Sequence, residues 1–187
     1  IAKIRSILPQ SNHLSFPFSV CDIIKMGRYP FRGDDTSKYS QDVCDYLIEV
    51  FDLKKQIKQN YITLSGGEKQ RVQLARVFAQ IWSESDYSGK LLILDEPTSF
   101  LDIKHQCMLF DFLRKLNKSG LSVLLVLHEL NHAIVNSNKI LMLKDGNKIE
   151  FGDIDEVINE KNLEKIFDIN IKLTKDITTN KQFVSYF

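Results

Sequence analysis

Two short stretches carry residue types that could do chemistry together. In Leu64-Ser65-Gly66-Gly67-Glu68-Lys69-Gln70-Arg71 a serine and two glycines open a helical pattern over 66–81. A glycine turn feeding a helix leaves backbone N–H groups able to hold an anion, and residues without side chains let that backbone approach closely. In Leu91-Leu92-Ile93-Leu94-Asp95-Glu96-Pro97-Thr98-Ser99 four apolar residues precede two carboxylates. Ligands of open α/β sheets bind at the C-terminal ends of strands, where a metal ligand beside a general base is useful. An anion cradle, a metal ligand and a base are the parts of nucleotide hydrolysis.

A rival pattern is His128-Glu129-Leu130-Asn131-His132, which fits the H-E-x-x-H form of zinc proteases, with Glu150 and Glu156 as candidate third ligands. That chemistry needs both histidines on one helix face. Residues 121–127 read as a strand, which puts His128 at a strand–helix junction and disfavours zinc. His13, His105 and His132 are expected to be structural or surface residues.

The elements that must position these groups follow from the pattern of apolar residues. Residues 1–8 alternate apolar and basic and suggest a strand ending at Pro9, with Gln10 next. Ser19 is a candidate N-cap for a short helix ended by Gly27, and 28–35 is a polar turn region. A second amphipathic helix is expected over 40–51 and a polar loop over 83–90. Buried strands over 91–94 and 121–127 flank a helix over 103–117, with Gly120 as its stop. A helix from 129, a hairpin of 140–143 and 148–151 around Asp145-Gly146-Asn147, helical turns over 153–158 and 161–167, and a strand-like tail to Phe187 complete the pattern. Buried strands alternating with helices give an α/β fold with a mostly parallel sheet, and residues 19–81 look like an inserted helical lobe.

The 187 residues are 43% hydrophobic and 26% charged, ordinary values for a chain able to bury a core. A net charge of +1 gives no field favouring nucleic acid or anionic lipid. Three cysteines without paired spacing fit a reducing compartment. The longest apolar run, 121–127, is far short of the roughly 20 residues of a membrane-spanning helix, and 1–20 lack a signal peptide's apolar region.

The string Leu64–Arg71 with Asp95-Glu96 resembles the signature and strand-end carboxylates of ATP-binding-cassette (ABC) ATPases. That resemblance implies a P-loop NTPase-type fold, ATP as nucleotide and Mg²⁺ as metal. It assigns Ser65, Gly66, Gly67 and Glu68 to nucleotide contact, Asp95 to Mg²⁺ and Glu96 to the attacking water. It matches Gln10 to the Q-loop residue that reaches Mg²⁺ and that water, His128 to the switch histidine at the γ-phosphate, and Asp102 in Ser99-Phe100-Leu101-Asp102 to the D-loop that contacts a second subunit. The implied partners are a second copy, head to tail, and a polytopic permease received by the helical lobe. The place of action would be the cytoplasmic face of the inner membrane.

Only 53 residues separate Gln10 from Leu64, with no sustained heptads, unlike the chromosome-maintenance and DNA-repair relatives that carry coiled coils there. No nucleic-acid partner is expected. Leu8-Pro9-Gln10, Phe16-Pro17-Phe18-Ser19-Val20 and Met26-Gly27-Arg28-Tyr29-Pro30 resemble the siderophore, cobalamin and haem importer branch. The run Ala75–Trp82, Leu101–Gln106 and Val126–Asn131 resemble hemin-import ATP-binding subunits, which work with a periplasmic or lipoprotein haem-binding protein. The phosphate-cradling G-x-x-x-x-G-K-S/T loop does not occur in the 187 residues. The expectation is therefore an N-terminally truncated single ABC domain over 1–187. Residues 17–81 would be its helical lobe, and 1–16 with 88–187 its α/β core. These residues alone would be inactive in ATP hydrolysis. A non-catalytic fragment that offers only its signature face or partner contacts is the alternative.

Overall fold

The apolar run at Leu91–Asp95 becomes the middle strand of a parallel sheet. The computed structural model describes residues 1–10, 16–175 and 182–186, and the chain divides into two compact units, Ile1–Val126 and Leu127–Phe187. In the first unit β1 (Arg5–Leu8), β2 (Leu91–Asp95) and β3 (Ser122–Val126) lie in the order β1-β2-β3, with Leu8 beside Leu94 and Asp95 beside Val126. Ser6, Leu8, Leu92 and Leu94 make the buried face. The other face is open: Ile7, Leu124 and Val126 are 42%, 53% and 48% exposed. This corrects the expectation of a fully buried strand over 121–127. An apolar run suits a strand covered on both faces, and within this unit only one face is covered.

The strand expected from residue 1 starts later. Ile4 N and Arg5 N both donate to the Ile1 carbonyl, at 3.0 Å, and the chain turns before β1. Pairing with β2 begins only where Arg5 meets Leu91, so the alternation before it has no partner strand.

Among the described residues three α-helices, with single 3-10 turns at Tyr29–Phe31 and Tyr61–Thr63, lie between β1 and β2. Helix α1 (Val20–Met26) is opened by a capping box of Ser19 and Asp22. A Cβ on Gly27 would lie 2.2 Å from the Arg76 carbonyl oxygen, so only glycine lets this end of α1 meet the third helix. Helix α2 (Ser37–Val50) begins three residues before the expected 40, because the Thr36 hydroxyl accepts from Tyr39 N and caps it there. Helix α3 (Gly66–Ile81) has the expected bounds. Phe78 of α3 lies 5.5 Å from Phe51 and 5.0 Å from Phe112, ring centre to ring centre.

The polar turn region 28–35 is a pinned structure. The Arg28 guanidinium is buried, donates to the Ala79 carbonyl at 2.6 Å, pairs with Asp35, and lies 4.0 Å from the Phe31 ring centre. Helix α4 (Ile103–Lys118) leads from β2 to β3, and Gly120 takes a φ of 97° where the chain turns back.

The second unit contains α5 (Leu130–Asn136), the hairpin of β4 (Lys139–Lys144) and β5 (Asn147–Asp153), α6 (Ile154–Val157), α7 (Glu160–Phe167) and an antiparallel pair, β6 (Ile171–Lys175) with β7 (Gln182–Tyr186). Asp145 and Gly146, at φ 50° and 76°, make the two-residue turn with both central residues left-handed that tight hairpins favour. Ile134, Met142, Val157, Leu163, Ile171 and Val184 form its core. Asn131 ties α5 to β7, accepting from Val184 N at 2.8 Å and donating to its carbonyl at 3.3 Å. His13 and Phe187 lie outside the described residues.

Candidate functional site

Ser65 is the N-cap of α3, and its surroundings explain why the helix starts there. Its hydroxyl accepts from Glu68 N at 3.4 Å, while Glu68 Oε2 accepts from Ser65 N at 2.9 Å and from the Ser65 hydroxyl at 2.8 Å. The hydrogen bond from the Ser65 backbone, with the hydroxyl second, holds the Glu68 carboxyl below its ordinary value. Gly66 and Gly67 occupy the first turn, whose N–H groups a helix leaves without intrahelical partners. Ser65 and Gly66 are exposed, so this helix start is open to solvent.

The glycines also answer to the chain itself. A Cβ on Gly67 would lie 2.7 Å from the Phe100 carbonyl oxygen, and one on Gly66 would lie 3.3 Å from the Phe100 ring. Phe100 has a φ of 64° and is 79% exposed, a conformation that non-glycine residues seldom adopt. Gln70 Nε2 donates to the Pro97 carbonyl at 3.1 Å. The glycine turn and residues 97–100 are thus packed directly on each other. Residue spacing gives no sign of this contact.

The carboxylates sit where β2 ends. Asp95 is the last residue of the strand, and Glu96 follows it with φ 48°. That turn is fixed by Glu96 N donating to the Val126 carbonyl at 3.0 Å. Gln10 Nε2 donates to Glu96 Oε1 at 2.8 Å, and the Ser99 hydroxyl to Oε2 at 3.4 Å. The structure therefore joins Gln10 and Glu96 across 86 positions of sequence. Parallel register does this: Leu8 is level with Leu94, so the residues just past each strand end emerge together. Asp95 and the amide oxygen of Gln10 are oxygen donors of the kind a hard cation such as Mg²⁺ takes, one carboxylate with waters completing the shell. These residues fit that ion.

Asp102 caps α4. Its Oδ1 accepts from His105 N at 2.9 Å and lies 2.8 Å from His105 Nδ1, and the backbone bond first, then the ring, lower its pKa. His105 Nε2 is 3.8 Å from the Asp52 carboxylate, so the ring lies between the cap of α4 and the end of α2. His128 belongs to the second unit, exposed and two residues before α5 begins at Leu130, while His132 lies within that helix. The two histidines therefore do not share one helical face, the arrangement H-E-x-x-H requires. Among the described residues no three His, Cys, Asp or Glu side chains gather into a metal-binding group.

Two polar residues that the motifs did not single out support the signature helix. Arg71, 9% exposed, donates to the Phe51 and Asp52 carbonyls at 2.8 and 2.5 Å. Gln56 donates to Glu68 Oε1 at 2.9 Å. Arg71 was visible in the signature string as a type without a role. Nothing in the spacing marks Gln56.

A family model described as ABC transporter matches residues 3–99, just over half of the chain. The chain is 38% identical over 178 residues to the hemin import ATP-binding protein HmuV of Escherichia coli O157:H7, covering 94% of this chain and 67% of that protein. It is 35% identical over 185 residues to the protein of the same name from Hahella chejuensis, covering 98% of this chain and 71% of that one. Among solved structures, an inward-facing metal-chelate type ABC transporter matches with a TM-score of 0.75 and 25% identity, over 98% of this chain and 72% of its own. The fold, the strand-end carboxylates and these matches lead to one conclusion: the chain belongs to the ABC transporter family, whose activity is ATP hydrolysis.

Proposed function

We propose that this chain is the ATP-hydrolysing subunit of an importer of hemin or a related iron complex. The observation that carries the substrate class is the match, over nearly the whole chain, to relatives named for hemin import. The observation that supports the chemistry is the Gln10–Glu96 hydrogen bond at the strand ends. Residues 1–187 act as one ATPase domain, with 17–81 as its helical lobe and 1–16 with 88–187 as its α/β core.

Asp95, with the Gln10 amide oxygen, would hold Mg²⁺, which when bound with ATP supplies charge neutralisation at the phosphate oxygens. Glu96 accepts the proton of the attacking water, and Gln10 keeps its carboxylate oriented. A carboxylate restrained by an amide and a hydroxyl is poised for one direction of approach. Ser65, with the N–H groups of Gly66 and Gly67, donates to the terminal phosphate, and Glu68 braces that cap. His128 is assigned to the γ-phosphate by resemblance, and Asp102 to the second subunit. The sites are shared across a head-to-tail pair, so each signature face serves the nucleotide held by its partner.

The helical lobe is the part that receives the membrane permease. Among the described residues no helix is long and apolar enough to cross a membrane. By its similarity to hemin-import ATP-binding proteins, the subunit works as a peripheral component on the cytoplasmic face of the inner membrane, with a haem-binding protein delivering cargo on the other side.

Uptake into vesicles carrying the permease and this subunit tests the reading. ATP-dependent entry of hemin, with little entry of cobalamin or a ferric siderophore, is expected. Uptake of cobalamin with no uptake of hemin or of a ferric siderophore refutes the substrate assignment.

A further inference from the structure

Gln56 lies in the turn after α2, 12 positions from Glu68 in sequence and outside every motif, yet hydrogen-bonded to that carboxylate. The Glu68 carboxylate is divided between two tasks: Oε2 accepts from the Ser65 N–H at 2.9 Å and hydroxyl at 2.8 Å, and Oε1 accepts from Gln56 Nε2 at 2.9 Å. The amide holds this orientation at a cost, because Gln56 Oε1 is buried with no hydrogen-bond partner among the described residues. The flipped amide would set an oxygen against a carboxylate, which explains the orientation observed. The turn itself is anchored. Gln56 N donates to the Leu53 carbonyl at 3.0 Å, Leu53 is fully buried, and Arg71 of α3 grips the Phe51 and Asp52 carbonyls. Helix α3 and this turn are clamped at two points, one of them at the capping carboxylate.

The electrostatics give the clamp a purpose. A carboxylate in the first turn stabilises a helix start, yet it competes with any other anion for the same positive end. Drawing one oxygen of Glu68 sideways onto an amide fixes its position and spreads its charge over donors. It also keeps Ser65 in a single N-cap geometry. We propose that Gln56 is a positioning residue for the signature serine: it locks the Glu68 carboxylate in the cap and so presents Ser65, Gly66 and Gly67 to an incoming phosphate. The inference rests on the assignment of that helix start to the nucleotide.

The test compares Gln56→Leu and Gln56→Glu with the parent chain by NMR, without nucleotide, following the Glu68 carboxyl titration and the exchange rate of the Ser65 amide. Both variants should move the Glu68 pKa upward and speed Ser65 exchange, Gln56→Glu more than Gln56→Leu, since it sets like charges together. In the assembled transporter with MgATP, kcat should fall roughly three- to tenfold, the worth of one hydrogen bond, with KM for ATP changed far less. An unchanged Glu68 titration overturns the proposal whatever the fate of the nucleotide reading. A shifted titration with unchanged kcat, while Ser65→Ala still lowers kcat, also overturns it and leaves the proposed function standing. If Ser65→Ala leaves kcat unchanged, the assignment of the helix start to nucleotide fails instead.

Discussion

Replacing Gly67 by alanine should injure the protein in a way that replacing Gly66 does not. The added Cβ at 67 meets the Phe100 carbonyl oxygen at 2.7 Å, a backbone atom that cannot rotate away. The Cβ at 66 meets the edge of the Phe100 ring at 3.3 Å, and that ring is 79% exposed and free to swing outward. Overpacking against fixed atoms costs about 1–3 kcal/mol. Alanine recovers at most about 1 kcal/mol of helix propensity, and less in a first turn. The net loss for Gly67→Ala is therefore about 0.5–2 kcal/mol. At about 2–4 °C per kcal/mol for a domain of this size, Tm drops about 1–8 °C. Gly66→Ala should stay within about 0.5 kcal/mol of the parent. Urea titration followed by far-UV circular dichroism, with a thermal scan, reads both. Adding Phe100→Ala should not rescue Gly67→Ala, because the clashing oxygen remains. A Gly67→Ala protein as stable as the parent, or rescue by Phe100→Ala, would refute the reasoning.

Other consequences are open to simple assays. Asp35→Ala leaves the buried Arg28 guanidinium without its carboxylate and should destabilise by about 3–5 kcal/mol in urea titration, more than the exposed Asp111→Ala. The Glu68 carboxyl is held below its ordinary 4.5, so its stabilising effect is complete above that value and is lost as pH falls through the lower folded one. Stability measured from pH 6 downward should accordingly fall less steeply for Glu68→Gln on this acid limb. Burial pushes the Cys44 thiol up to about 11, while Cys107 is exposed, so iodoacetamide at pH 8 should label Cys107 and spare Cys44 until the chain is unfolded.

The helix starts were the most legible part of the fold, because capping is local chemistry. Ser19 marked the start of α1 and the glycines after Ser65 that of α3, and the structure closes each cap with a carboxylate three residues on, Asp22 and Glu68. Thr36 works by the same mechanism but stands in a run of polar residues, Asp34-Asp35-Thr36-Ser37, where the cap has no contrast. The motifs named candidate residues, but not the contacts that join them. The Gln10–Glu96 bond depends on β1–β2 register, and the Gly67–Phe100 contact on how two loops pack. The pinning of Arg28 by Ala79 and Asp35 joins a turn to the far end of α3. Burial of β3 was misjudged for a related reason: apolar composition records the faces a strand is suited to cover, and one face of this three-stranded sheet is open within its unit.

The central claim is that Glu96 is the base of an ATPase site that Gln10 orients. Its most direct test is Glu96→Gln in the assembled transporter, with ATP binding and turnover measured side by side. An amide of the same shape keeps the hydrogen-bonding frame but cannot take a proton, so turnover should fall by about 10²–10⁴ with nucleotide binding retained. Turnover within about twofold of the parent, well inside the loss expected of a missing base, would contradict the account.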